Sequence, residues 1–93
     1  MTVQNLIDEF SLEVLCCGDH AADKEVKGGY CGDLLSWVMG RAGADEAWIT
    51  IMSNRNIVAV ATLADTACIL LAEGVQPDEG VAQLAQDKGI NLL

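Results

Sequence analysis

Arg55 is the residue of this chain with the clearest chemical promise. It follows Ser53 and Asn54 and precedes Asn56 and an apolar helical block, so its guanidinium is expected at a helix start, where free backbone N–H groups and the helix dipole favour an anion. The chemistry this permits is the binding of a phosphate or carboxylate. The plainer alternative is that Ser53, Asn54 and Asn56 serve as helix caps while Arg55 pairs with Glu73 or Asp33. Gly28-Gly29 lies inside a strand-like block, and paired glycines there usually accompany a bulge or the close approach of another backbone or a ligand. The ligand-binding candidates are therefore Gly28, Gly29, Asp33, Ser53, Asn54, Arg55, Asn56, Glu73 and Gly74.

Other reactive residue types do not assemble into a catalytic set. Gly28-Gly29 fits neither the dinucleotide fingerprint nor the P-loop pattern, so kinase chemistry is not expected. His20 is the sole histidine, beside Asp19 in a polar loop, with no partner in sequence to position it as a phosphoacceptor or metal ligand. Cys16, Cys17, Cys31 and Cys68 form no C-x-x-C pair, and neighbouring strand residues point to opposite faces, so neither metal nor iron–sulfur cluster nor other cofactor is expected. Each cysteine sits in or beside an apolar block, where a reduced, buried thiol behaves as a small hydrophobe. The pairs Asp8-Glu9, Asp45-Glu46 and Asp78-Glu79 lie at element ends, where carboxylates solvate the surface or complement a helix start.

The elements that must position these residues alternate. From residue 26 to residue 71 apolar strand-like and helix-like blocks follow one another, which predicts a parallel βαβαβ core. Strand carboxyl ends and helix amino ends then share one edge, bringing Cys31-Gly32-Asp33, Ser53-Asn54-Arg55-Asn56 and Glu73-Gly74 together. A short amphipathic helix over 3–10 opens the chain, with Thr2 as its cap and Val3, Leu6, Ile7 and Phe10 on one side. Strands are expected at 12–17, 26–31, 47–52 and 67–71, with a polar turn at 18–23 and a last strand beginning at 90–93. Asp33 is the expected cap of a helix ended by Gly40 or Gly43, Asn54 or Asn56 that of a helix over 57–63, and Pro77-Asp78 opens an amphipathic helix over 78–88 stopped by Gly89.

Two of these helices are apolar on nearly every side. In a chain of 93 residues, which buries only about 60–65% of its unfolded surface, one face can pack on the sheet and the other on a second subunit. Leu34, Leu35, Trp37, Val38 and Met39, with the 57–63 helix, are thus the expected homodimer interface. The net charge of −9 repels nucleic acid. No apolar run reaches the ~18 residues of a membrane span, and the start Met1-Thr2-Val3-Gln4 has no basic segment, so a soluble, cytoplasmic protein without membrane attachment is expected.

Across most of its length, from about residue 12 onward, the chain resembles the DRTGG domain, a module related in fold to the amino-terminal domain of HPr kinase/phosphorylase and found also in phosphotransacetylases and beside CBS domains. The signature places an Asp-Arg pair after one strand and Thr-Gly-Gly after the next; the matching positions read Asn54-Arg55 and Ala72-Glu73-Gly74. Arg55 and Gly74 are retained. Gly28-Gly29-Tyr30 with Asp33-Leu34-Leu35, the stretch 57–65, Pro77-Asp78 and Lys88-Gly89-Ile90 are also similar. The resemblance implies a single domain over 1–93 with a three-layer α/β/α arrangement around a mainly parallel sheet. It also implies a regulatory or ligand-sensing role without catalysis. Small stand-alone members with a block like 29–40 tend to be encoded near iron-only hydrogenase and signalling-kinase genes, which implies a signalling-kinase or hydrogenase-associated partner.

The leading expectation is a non-enzymatic module that binds a small anionic ligand, a nucleotide or phosphorylated metabolite, or a signalling partner at the strand-end edge. A structural protein–protein interaction dimer with no small-molecule ligand is the first alternative. A redox or metal-bearing subunit is the second.

Overall fold

The computed structural model describes residues 1–16 and 21–93. Its elements run α1 (Val3–Phe10), β1 (Gly28–Cys31), α2 (Leu35–Arg41), β2 (Glu46–Thr50), α3 (Asn56–Ala64), β3 (Cys68–Leu71) and α4 (Val81–Asp87). The strands form a parallel sheet in the order β1-β2-β3, so this is a small α/β fold with the expected βαβαβ core.

Two further segments widen the sheet. Ile69 N–H donates to Asn91 O and Leu93 N–H donates to Ile69 O, both at 2.9 Å, so residues 91–93 run beside β3. On their far side Leu15 N–H donates to Leu92 O at 2.9 Å. The strand expected at 12–17 is reduced to one antiparallel bridge between Cys16 and Leu92, because the chain has only just left α1: Ser11 turns left-handed at φ 53° and Leu12 N–H still donates to Ile7 O. Cys17 and the expected turn residues Gly18, Asp19 and His20 lie outside the described residues.

Strand alternation sorts the core into two clusters. Ala47 and Cys68 pack with Val3, Leu6, Ala67 and Leu93, whereas their neighbours Trp48 and Ile69 pack with Val38, Ile57, Val58, Val81, Ala85 and Leu92. Strands buried on both faces read as continuous apolar runs, which is why β2 and β3 stand out in the sequence. Trp48, Ile57 and Ile69 are fully buried, each contributing about 1.5–3 kcal/mol of hydrophobic stabilisation.

The helices keep their expected places with altered ends. Thr2 caps α1 as expected, and its hydroxyl accepts from Asn5 N–H at 3.1 Å. α3 buries Ile57, Val58, Val60 and Ala61 and leaves Leu63 71% exposed, the two-faced disposition the sequence implies. α2 runs through Gly40 to Arg41, and α4 begins three residues after Asp78, its amino-terminal cap being the left-handed Gly80 with φ 83°. Val38 is the fully buried residue of α2, so of the large apolar residues expected at an interface Leu34, Trp37, Met39 and Leu63 are the exposed ones, while Val38 and the inner face of α3 belong to the core.

Candidate functional site

The loops after β1, β2 and β3 bring Asp33, Ser53-Asn54-Arg55-Asn56 and Glu73-Gly74 to the carboxyl end of the sheet. Trp48 supports this end from below, its indole Nε1 donating to Gly32 O at 2.9 Å. Gly32 N–H donates in turn to Ile49 O at 3.1 Å, so the first loop is tied to β2 at two points.

Asp33 is not the cap of α2. Leu34 holds that position with no side-chain hydrogen bond, and Asp33 turns across to β2, where its Oδ1 accepts from Thr50 Oγ1 at 2.8 Å and from Ile51 N–H at 3.1 Å. Those donors, the Ile51 N–H foremost and the Thr50 hydroxyl second, hold the Asp33 carboxyl below its ordinary value. The same bonds end β2 at Thr50, since Ile51 N–H is diverted to a side chain and Met52 N–H donates back to Thr50 Oγ1 at 3.2 Å.

The start of α3 is closed on itself. Asn56 N–H donates to Asn54 Oδ1 at 2.9 Å, Ile57 N–H to Asn54 O at 3.2 Å and Val58 N–H to Arg55 O at 3.2 Å. The N–H groups expected to await an anion are therefore engaged, with Asn54 as an Asx-turn acceptor. Ser53 is committed as well: its Oγ donates to Asp78 Oδ1 and its carbonyl accepts from Asp78 N–H, both at 2.9 Å, fastening the loop ahead of α4.

Arg55 itself stands exposed at the head of α3. Among the described residues the ion pairs join Lys24 and Lys27 to Asp45 and the terminal amine to Glu25, and none joins Arg55 to Glu73 or Asp33. After β3, residues 72–75 make a tight turn closed by Val75 N–H donating to Ala72 O at 3.1 Å. Glu73 (φ 59°) and Gly74 (φ 71°) are both left-handed, the region glycine enters without cost and glutamate does not.

Gly28 and Gly29 are not part of this edge. They pair in unbroken register with Glu46 and Ala47, the first residues of β2, so there is no bulge and they lie toward the sheet's amino end. A Cβ on Gly29 would meet only Ala47 O, at 3.7 Å, and one on Gly28 would meet the end of the Glu46 side chain at 3.0 Å. Both glycines line an open apolar cavity of about 630 Å³ with Leu6, Phe10, Val26 and Ile49.

Cys16 and Cys68 are buried, but Cys31 is exposed at the end of β1, contrary to the expectation of a buried thiol. Burial pushes the Cys68 thiol up to about 12, which keeps it protonated and unreactive at neutral pH. Among the described residues no three His, Cys, Asp or Glu side chains converge as a metal site, and no helix is long and apolar enough to cross a membrane.

Sequence reasoning passes over four residues the structure makes prominent: Thr50 and Asp78 as the internal partners of Asp33 and Ser53, and Thr66 and Asn91 as buried polar residues. Asp78 carries one signal, its place after Pro77; Thr50, Thr66 and Asn91 carry none that residue type reveals. No family model matches the chain, and no curated protein or solved structure matches it either.

Proposed function

We propose that this protein is a non-enzymatic regulatory domain that senses a small anionic ligand of the nucleotide or phosphorylated-metabolite class at the carboxyl end of its sheet. The observation that carries this reading is the exposed guanidinium of Arg55 at the head of α3, which has no ion-pair partner among the described residues. A planar guanidinium free of an ion pair can take a phosphate or carboxylate bidentately. The finer architecture belongs to the same proposal: a DRTGG-like domain over 1–93 with the three-layer arrangement of the HPr kinase/phosphorylase amino-terminal domain. Support comes from Glu73 and Gly74, left-handed where that family's signature carries two glycines.

Thermal-shift titration with nucleotides and phosphorylated metabolites tests this, because a ligand at one hundred times its Kd adds about 2.7 kcal/mol of stability. Arg55→Ala is expected to keep the fold and weaken binding about ten- to two-hundredfold, the worth of one charge-assisted hydrogen bond. Unchanged binding with a lowered Tm would make Arg55 a structural residue.

A second reading is a protein-interaction dimer. Leu34, Trp37, Met39 and Leu63 are 45% exposed or more, and the engaged N–H groups of α3 leave Arg55 to bind any anion without them. Arg41 lies over the Trp37 ring at 4.0 Å, so Trp37→Glu alters the surface rather than the core. Sedimentation equilibrium is expected to show a dimer that Trp37→Glu weakens; a monomer at high micromolar concentration would end this reading.

A further inference from the structure

Gly29 and Ala47 line the open apolar cavity of about 630 Å³ that lies between α1 and the sheet. They belong to a row of small residues. The register sets Gly29 beside Ala47 and Ala47 beside Cys68, whereas the next row, Tyr30, Trp48 and Ile69, is bulky. Packing accounts for Ala47 and Cys68, which are buried in one cluster with Val3 and Leu6 of α1. It does not account for Gly29. That residue is exposed in an unbroken strand, its φ is not left-handed, and a Cβ there would meet only Ala47 O at the ordinary distance of 3.7 Å. Glycine weakens a strand and commonly marks the close approach of a ligand or another backbone. Here it leaves bare a stretch of cavity wall that a side chain would fill.

Charge narrows the occupant. The chain has fourteen carboxylates against five Lys and Arg, yet among the described residues no carboxylate lines this cavity and Lys27 is its one charged side chain. That side chain is 68% exposed, and its ammonium lies 3.7 Å from Asp45 Oδ2, beyond hydrogen-bond range, while Lys24 holds Oδ1 of the same carboxylate at 2.9 Å. A second carboxylate can therefore draw Lys27 away without leaving Asp45 unpaired. The amine of Met1, also on the wall, is taken by Glu25 at 3.1 Å. The remaining lining side chains are apolar, and the exposure of Phe10 (63%) and of both glycines opens the cavity to solvent. Its volume falls within the range of about 300–1,000 Å³ for ligand sites.

We propose that this cavity binds an aliphatic monocarboxylate, its chain lying against Gly29, Phe10 and Ile49 and its carboxylate meeting Lys27. A second copy of this chain is the rival occupant. A recess between a helix and a sheet has the concave shape of a small-molecule site, whereas an isologous dimer needs a surface that complements itself.

Calorimetry on the full chain with acetate, hexanoate, octanoate and octan-1-ol tests this. Octanoate is expected to bind and hexanoate to bind more weakly, by roughly fourfold for each methylene removed, with no binding of acetate. Gly29→Val places a strand-favouring side chain in the cavity and is expected to keep the fold while weakening octanoate and octanol alike by roughly tenfold or more. Lys27→Gln, at an exposed position that does not endanger folding, is expected to weaken octanoate about two- to fivefold and leave octanol unchanged. Absence of octanoate binding overturns the proposal, as does an octanoate affinity unchanged in either folded variant. Acetate binding as tightly as octanoate overturns it in favour of simple lysine–anion attraction. Sedimentation equilibrium showing a dimer that Gly29→Val dissociates and Trp37→Glu leaves intact would give the cavity to a second copy, also against the proposal.

Discussion

At the carboxyl end of the sheet Thr50 is 2% exposed and its hydroxyl donates to Asp33 at 2.8 Å; at the amino end Thr66 is 5% exposed and its hydroxyl meets nothing. The contrast extends to the neighbours. Ser53 and Asp78 pair with each other, Asn54 takes the first N–H of α3, and Trp48 ties down Gly32, whereas Asn91 uses its amide nitrogen and leaves its oxygen idle. Open parallel sheets commonly bind ligands outside their strands' carboxyl ends. Here that end has spent most of its polar groups on itself, keeping one exposed arginine, and the unspent groups lie at the other end. Location at a favoured edge and availability of hydrogen-bonding atoms are separate properties of a site, and in this molecule they part.

The comparison can be broken by stability measurements. Trp48→Ala should have the largest effect, about 3–5 kcal/mol of destabilisation, because it empties a fully buried site and frees Gly32 O; chemical denaturation reads this directly. An effect below about 1 kcal/mol, in the range of an exposed position, would mean that the carboxyl end is not braced by this ring. One substitution applied at both ends gives the next test. Thr50→Val is expected to cost about 1–2 kcal/mol, since Asp33 and Met52 N–H each lose a partner. Thr66→Val, of the same shape, is expected to be neutral or to stabilise by up to about 1 kcal/mol, since it removes a buried hydroxyl with nothing to bond. Equal losses at the two positions would erase the distinction.

Those effects also explain what was legible in the sequence. Periodicity carried β2, β3, α1 and α3, because strands and helices that bury one or two faces must display it in residue type, as Ala47 to Thr50 and Ile57 to Ala61 do. Ends were less legible, because they are set by tertiary competition for single N–H groups. β2 stops where Asp33 takes Ile51 N–H, and α4 waits for Gly80 although Pro77-Asp78 offers an earlier start. The candidate site was legible as a set of loops at one edge, apart from Gly28 and Gly29, whose position within β1 depends on a register that composition does not reveal. Thr66 and Asn91 were illegible because orphaned oxygens are a property of three-dimensional burial, and nothing in a Thr or Asn at a strand start announces it.

Acid titration sharpens the comparison with a smaller effect. Each end carries a carboxyl held below its ordinary value, but the partners differ: Asp33 by the neutral donors Ile51 N–H and the Thr50 hydroxyl, Asp45 by the Lys24 ammonium first and Lys27 last. A depressed carboxyl contributes stability that is present above its unfolded value, 3.8 for both groups, and is lost as pH falls through the folded value below it. Both ends should therefore loosen below about pH 4. Salt separates them, because at 1 M ionic strength the screening length falls to about 3 Å, which weakens the partly exposed Lys24–Asp45 pair and leaves the neutral donors of Asp33 in place. Asp45→Asn, which tolerates the left-handed backbone at φ 65°, is expected to remove the salt-sensitive part of the acid limb, and Asp33→Asn the salt-insensitive part. Lys24 gives the matching alkaline signature: its value is raised above 10.5, chiefly by Asp45, so its contribution is complete below that pH and disappears as pH climbs through the raised value. Denaturation midpoints across pH 2–5 and 9–12 in low and high salt would decide it, and an acid limb equally salt-sensitive in both variants would show that the two ends do not differ in the way their hydrogen bonds indicate.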